Sequence, residues 1–284
     1  MTPEAARAAL SALGRIGDDQ FDPIAAALAL AAADDPGCDV AGAAEVIAGL
    51  VSGARGLLAE NQAANDGHAT ARGKLIGALL ASHGFRGDSD TYEDAANANL
   101  ARVAARRKGL PVALGLLWLA VARGLGWPAA GIDFPGHFLL ALEGVAAGTA
   151  TGAVVVDPFD SGRMLDAAAL GALLRRVAGP DAKLTPRHLQ AMRPRQVVLR
   201  LANNLRLRRL KAEAWETALS ITEDMLRFAP GATWLLMDAA RLAQRLGQQR
   251  RAEAHLVALL ARQPGAEDAT EARRLLASVR QSLN

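Results

Sequence analysis

The sequence holds a single cysteine, Cys38, in 284 residues. That excludes an internal disulfide framework and a cysteine-based zinc site. Phe, Trp and Tyr together make up only 4% of the chain, and its 51% hydrophobic share comes mostly from Ala and Leu, the composition of a soluble, helix-rich globular protein. No run reaches the ~18 uninterrupted apolar residues of a membrane span; the stretch from Ile24 to Ala33 is alanine-rich and shorter. Glu4 precedes every basic residue, so the start lacks the charged-then-apolar order of a secretory leader. The expectation is a cytoplasmic protein without membrane, metal or cofactor.

Acidic residues are missing from one long stretch. None lies between Asp181 and Glu213, while Lys183, Arg187, Arg193, Arg195, Arg200, Arg206, Arg208, Arg209 and Lys211 are basic. The formal charge of +3 therefore hides an asymmetry: residues 1–100 hold 14 acids and 6 bases, residues 101–284 hold 15 acids and 26 bases. A basic run can meet nucleic acid or an acidic protein, but this one contains no Phe, Tyr or Trp to stack on a base. The plainer reading is that these arginines face the acidic N-terminal part of the same chain, which makes nucleic acid the weaker partner.

What is present divides the chain into three regions: 1–98 helical, 99–180 a core, 181–284 helical repeats. In the first, Asp22-Pro23 is an N-cap with proline in the first turn and opens a helix that stops at DDPG, residues 34–37. Further helices are expected from Val40 to about Leu58 and from Ala69 to about Ser82, where His83-Gly84 is a stop signal. A polar loop, 83–97, leads to a helix expected near Thr91, with Thr91 and Asp94 as a capping box. In the second region Leu114, Leu117, Trp118, Val121 and Leu125 recur at helical spacing after Gly109 and Pro111. Three β-prone stretches follow, Ala130–Phe134, His137–Glu143 and Val154–Asp157, the last two joined by a small-residue hairpin over 144–152. A long buried helix followed by an antiparallel sheet is an α+β core. In the third region Ala218, Leu226, Pro230 and Gly231 recur 34 positions later as Ala252, Leu260, Pro264 and Gly265. That period is the tetratricopeptide signature, fitting helix pairs over about 199–231 and 233–265 and a last helix near 267–280.

The chemistry centres on FPGHF, residues 134–138, and Asp157 in VVVDPF. His137 and Asp157, expected at neighbouring strand starts behind a long helix, match two members of a catalytic triad. A cysteine–histidine enzyme needs a thiolate at the helix N-terminus, where the dipole lowers its pKa. That helix begins Gly109-Leu110-Pro111-Val112-Ala113, with no Cys, Ser or Thr. Cys38 sits beside Asp34, Asp35 and Asp39, which raise a thiol pKa. Ser161 lies in a turn and suits a local backbone hydrogen bond. His137 therefore has three readings: a buried histidine tying two strands through Asp157, a wall of a ligand or peptide pocket, or a residual base. Phe134, Pro135, Gly136, Phe138, Pro111, Ala113 and Asn97 are the candidate pocket, with Asn97 also suited to bonding the 83–97 loop and Arg106 to pairing with an acid across the interface.

GFRGDSDTYEDAAN, RRKGLPVALGLLWLAVARGLGW, FPGHFLL and VVDPFDSG, in that order and spacing, resemble the bacterial transglutaminase-like family with tetratricopeptide repeats, named for the invasion-gene regulator SirB. The resemblance implies a papain-like core in which His137 and Asp157 stand where active members carry histidine and aspartate. It also implies a frequent loss of the nucleophile; members often carry Ser or Thr after the Gly-x-Pro turn, where this chain has Ala113. Two functions follow as expectations. One is a non-catalytic interaction or regulatory module binding protein or peptide in the repeat groove or core pocket. The other is an amide hydrolase or acyl transferase with His137 as base, Asp157 as orienter and an unidentified nucleophile.

Overall fold

A computed structural model describes residues 1–60, 64, 68–143, 153–262 and 268–283. The first helix, α1 (Pro3–Leu13), starts on Thr2, whose Oγ1 accepts from the Ala5 amide at 3.2 Å. Asp22 does the same for α2 (Pro23–Asp34), accepting from Ile24 and Ala25, and Pro23 occupies the first turn, where its missing N–H costs nothing. Every residue from Ala26 to Ala33 is buried, because methyl-sized side chains let α2 lie close to neighbours on several sides at once. In α3 (Val40–Ala59), capped by Asp39, residues Ala43, Ile47, Leu50 and Ala54 form the inward stripe. It is the one described helix long and apolar enough to cross a membrane by length and composition, although Glu45 and Arg55 interrupt it. Next comes α4 (Ala69–Ser82), which stops at His83 and Gly84, the latter at φ 79°.

The expected helix start at Thr91 is not observed. Thr91 donates its amide and hydroxyl to Asp88 at 3.0 and 2.6 Å, which holds residues 91–93 in a turn. A short 3₁₀ segment, Ala95–Ala98, follows with Asp94 as its cap, and α5 (Leu100–Arg106) begins only after Asn99. Asp88 outcompeted the Thr91–Asp94 capping box because its carboxylate accepts both Thr91 donors. Two two-residue strands, β1 (Arg86–Gly87) and β2 (Lys108–Gly109), pair in parallel and clamp this loop to the start of α6 (Pro111–Gly124). Neither is long enough to leave a periodic signal.

Antiparallel strands β3 (Ala129–Phe134), β4 (His137–Leu142), β5 (Val154–Asp157) and β6 (Arg163–Leu165) form one sheet in that order. The last is an addition to the sequence reading, and the expected 144–152 hairpin connection lies outside the described residues. Alternation along the strands gives the sheet two apolar faces. Phe138, Leu140, Leu142 and Val156 join the main core with α6. Ile132, Phe134, Leu139, Ala141 and Val155 pack against Leu170, Leu173 and Leu174 of α7 (Ala167–Ala178). Fully buried Gly115 lets the Phe138 ring lie on α6, for an added Cβ would overlap it.

The C-terminal helices are α8 (Pro194–Lys211), α9 (Trp215–Phe228), α10 (Trp234–Arg245), α11 (Gln249–Arg262) and α12 (Asp268–Gln281). The expected helix pairs over about 199–231 and 233–265 and the last helix near 267–280 compare with helices over 194–228, 234–262 and 268–281. Ala218 and Ala252 are both fully buried, while Pro264 and Gly265 lie outside the described residues. The largest buried cluster draws on Leu10, Leu117, Val198 and Phe228 alike, so it runs through all three sequence regions.

Six of the nine bases of the acid-free run pair with acids of this chain. Arg193 and Arg195 share Asp18, Arg209 pairs with buried Asp34, and Lys211 pairs with Glu93. Arg200 and Arg206 depart from the expected pattern, pairing with Asp133 and Asp238 outside the first hundred residues.

Candidate functional site

The start of α6 is built by backbone. The Leu110 amide donates to the Asn97 carbonyl at 3.0 Å, the Asp88 amide to the Gly109 carbonyl at 3.3 Å, and Pro111 opens the helix. Asn97 is fully buried and donates its Nδ2 to the Thr91 carbonyl at 2.7 Å, while its Oδ1 has no hydrogen-bond partner among the described residues. Arg106 reaches Asp88 at 3.2 Å and Asp94 at 3.0 Å, across the boundary between the first two sequence regions. Thr91 holds the Asp88 carboxyl down at about 2 through its hydroxyl and amide. This Asp88–Thr91–Asn97–Arg106 network is the polar centre of the loop. The sequence reading gives Asn97 and Arg106 partners of this kind, whereas Asp88 and its hold on Thr91 show there only as a density of acids in RGDSDTYED.

His137 and Asp157 are brought to one end of the sheet. Register pairs Leu140 with Val156, so by alternation His137, Leu139, Val155 and Asp157 belong to the face covered by α7. Burial pushes the His137 imidazole below its ordinary pKa; the Asp157 charge opposes this and Arg176, near the end of α7, reinforces it. Among the described residues the ring makes no hydrogen bond. The Asp157 carboxylate is engaged elsewhere, accepting from the Phe159 and Asp160 amides at 2.9 and 3.3 Å. The backbone carbonyl of His137 accepts from Arg200 at 2.9 Å.

The remaining pocket residues divide between the two faces. Phe134 pairs with His137 across the Pro135-Gly136 turn and is buried beneath α7 with His188 beside it. Phe138 and Ala113 belong to the opposite, α6-side core. Pro111 is half-buried, and Gly136 is exposed with φ 71°. The DPF loop does meet the RGD loop: the Phe159 ring lies over Gly87, where an added Cβ would sit 2.7 Å from it, and against Tyr92 edge-on. Ser161 takes a left-handed φ of 49° in that turn, closed by Gly162 donating to the Asp157 carbonyl at 2.9 Å. Cys38 is half-buried, and burial, then Asp35, push its thiol up. Among the described residues no group of three His, Cys, Asp or Glu side chains is placed to hold a metal.

Three clefts lie away from this dyad. One of about 710 Å³ is lined by Phe21, Leu119, Trp127, Ala129 and Met192. One of about 610 Å³ lies beside Asp133, Arg200 and Trp234. The third, about 540 Å³, is polar and contains Asp34 and Asp224, both buried carboxylates whose pKa burial raises.

The family model of the transglutaminase-like superfamily matches residues 44–203, which span α6 and the antiparallel sheet packed on it. The chain belongs to that superfamily, and its relatives place it with the bacterial SirB-type proteins. It is 36% identical over 163 residues to a UPF0162 protein of Vibrio cholerae, covering 57% of this chain and 58% of that one. It is 32% identical over 174 residues to a UPF0162 protein of Xylella fastidiosa, covering 60% of each. Protein SirB1 of Salmonella typhimurium is 26% identical over 157 residues, 55% of this chain and 56% of its own. The matches thus span about 60% of the length of these curated relatives. No solved structure matches.

Proposed function

We propose that this protein is a non-catalytic interaction or regulatory module, built on a transglutaminase-like core that lacks its nucleophile and extended by tetratricopeptide-like helices that bind protein or peptide. The observation that carries this reading is the division of the dyad from the helix start. Pro111, Val112 and Ala113 offer no attacking atom, and register assigns His137 to the α7 side of the sheet while α6 packs on the other. A general base must lie within hydrogen-bond reach of the proton it abstracts. A neutral imidazole beside a carboxylate committed to two backbone amides suits packing better than relay. The rival, amide hydrolysis or acyl transfer with His137 as base, retains its own signature. Amine incorporation into casein and release of ammonia from glutamine peptides are measured for wild type and His137→Ala, with circular dichroism to check folding. Rates at the buffer background for both are expected. A wild-type rate abolished in a folded His137→Ala variant would make the protein an enzyme.

A further inference from the structure

Strand β3 is an edge of its sheet. The Pro128 carbonyl accepts from the Glu143 amide on the β4 side at 2.9 Å, whereas the Gly131 carbonyl accepts from Met192 on the outer side at 2.8 Å. By the same alternation Ala129, Gly131 and Asp133 direct their backbone groups outward. The outer partner is a strap formed by residues 189–193, joined to β3 by an antiparallel bridge between Ile132 and Ala191. No residue from Asp181 to Gln196 is fully buried, and Pro194 turns the chain into α8 before the strap reaches Ala129. Ala191 and Met192 are walls of both the 710 and the 610 Å³ clefts, one on either side of the strap.

We propose that the β3 edge is a strand-addition site for an extended peptide, which displaces the strap and seats a bulky apolar side chain in the larger cleft. This rests on the interaction-module reading and gives it a site. Outward N–H and C=O groups at every second residue supply main-chain affinity, and the clefts supply side-chain selection. The strap shows that the edge accepts an antiparallel strand; its own Leu189 and Met192 are only partly buried against the two cores, contacts that apolar side chains of an incoming strand would replace. The larger cleft has Asp18 and Asp19 against Arg123 and Arg193. Its formal charges balance, so the complementary occupant is neutral and apolar, facing Phe21, Trp127 and Val197. Leu119 of α6 and Val197 and Arg200 of α8 line the clefts beside this edge.

A reversible lock tests the exchange. Ile132 and Ala191 are a non-hydrogen-bonded antiparallel pair, whose Cα atoms lie roughly 4.5 Å apart, within the ~4.4–6.8 Å span of a disulfide. Ile132→Cys with Ala191→Cys, in a Cys38→Ala background, ties the strap down when oxidised and frees it when reduced. The probe is a fluorescein-labelled peptide of alternating valine and threonine with a central phenylalanine, read by anisotropy. Reduced protein is expected to bind it, and oxidation to weaken binding at least about tenfold, with unchanged circular dichroism in both states. Equal binding in the two states, or none to folded reduced protein, overturns the proposal. Wild-type hydrogen exchange reads the same event without a variant: bound peptide is expected to protect the Ala129 and Asp133 amides and expose that of Met192. Unchanged protection under saturating peptide overturns the proposal equally. The turnover assays decide the non-catalytic reading separately, because they need no peptide and no lock.

Discussion

Asp88 shows how much one side chain does in this fold. Its carboxylate is nearly inaccessible, accepts from Thr91 twice and from Arg106 once, and anchors the loop that precedes α6. Asp88→Ala is expected to lower stability by about 1–3 kcal/mol, since it strands those donors; urea unfolding at neutral pH measures this. A carboxyl held at about 2 in the folded chain and near its ordinary value when unfolded stabilises above pH ~4 and loses that contribution as pH falls toward 2. Glu223, also at about 2 with His255 and Arg251 on it, acts in the same sense and window. Asp88→Asn is therefore expected to flatten part of the stability loss between about pH 4 and 2, as thermal unfolding across that range would show. His137 adds a milder effect nearer neutrality. Its folded pKa is depressed by burial, so its contribution is full above the unfolded value and fades as pH drops below it. An NMR titration is expected to give a midpoint under 6.5; a raised midpoint would mean that Asp157 dominates over burial.

At the scale of elements, helix propensity and packing predict opposite outcomes for the same substitution. Gly49 in α3 has nothing within 4 Å of an added Cβ, so Gly49→Ala is expected to stabilise by roughly 0.5–1 kcal/mol through backbone entropy alone. Gly115 in α6 faces the Phe138 ring, which an added Cβ would overlap. Gly115→Ala is expected to destabilise by about 1–3 kcal/mol despite its better propensity. Melting temperatures of the two variants moving in opposite directions would bear this out; both rising would mean that the α6–sheet contact is loose. The pair also shows what sequence periodicity can miss. Both glycines lie inside helices with no local mark to tell them apart.

For the molecule as a whole, the arginines of α8 act as ties between distant segments. Arg195 donates to Asp18 at 2.8 Å and to the Leu13, Ile16 and Phe228 carbonyls, and its guanidinium lies over the Phe21 ring. It thereby closes the ends of α1 and α9 with one side chain. Arg195→Ala is expected to cost about 3 kcal/mol, because it leaves Asp18 and several carbonyls without their donor; differential scanning calorimetry reads it. The same pairing argues against nucleic acid. With Arg193, Arg195, Arg200, Arg206, Arg209 and Lys211 all matched to acids of this chain, no anisotropy change is expected with single- or double-stranded oligonucleotides at physiological salt. Binding that falls steeply as salt rises would reverse that conclusion.

Much of this fold was legible because it is written locally. Asp22-Pro23, the apolar spacing after Pro111, the β-prone stretches around His137 and the 34-residue recurrence are each read from the chain itself, and the lack of Cys, Ser or Thr at 111–113 needed no coordinates. The pairing of acid-poor α8 with acids of the N-terminal region was legible in outline from charge alone, though not Asp133 and Asp238 as partners. Tertiary structure decided the rest. Asp88 took both Thr91 donors and cancelled the expected cap, β1, β2 and β6 exist only because a partner strand supports them, and register set His137 on the side of the sheet away from α6. A strand's alternation tells which residues share a face; only packing tells which helix covers that face, and here it is α7 that covers the face carrying His137.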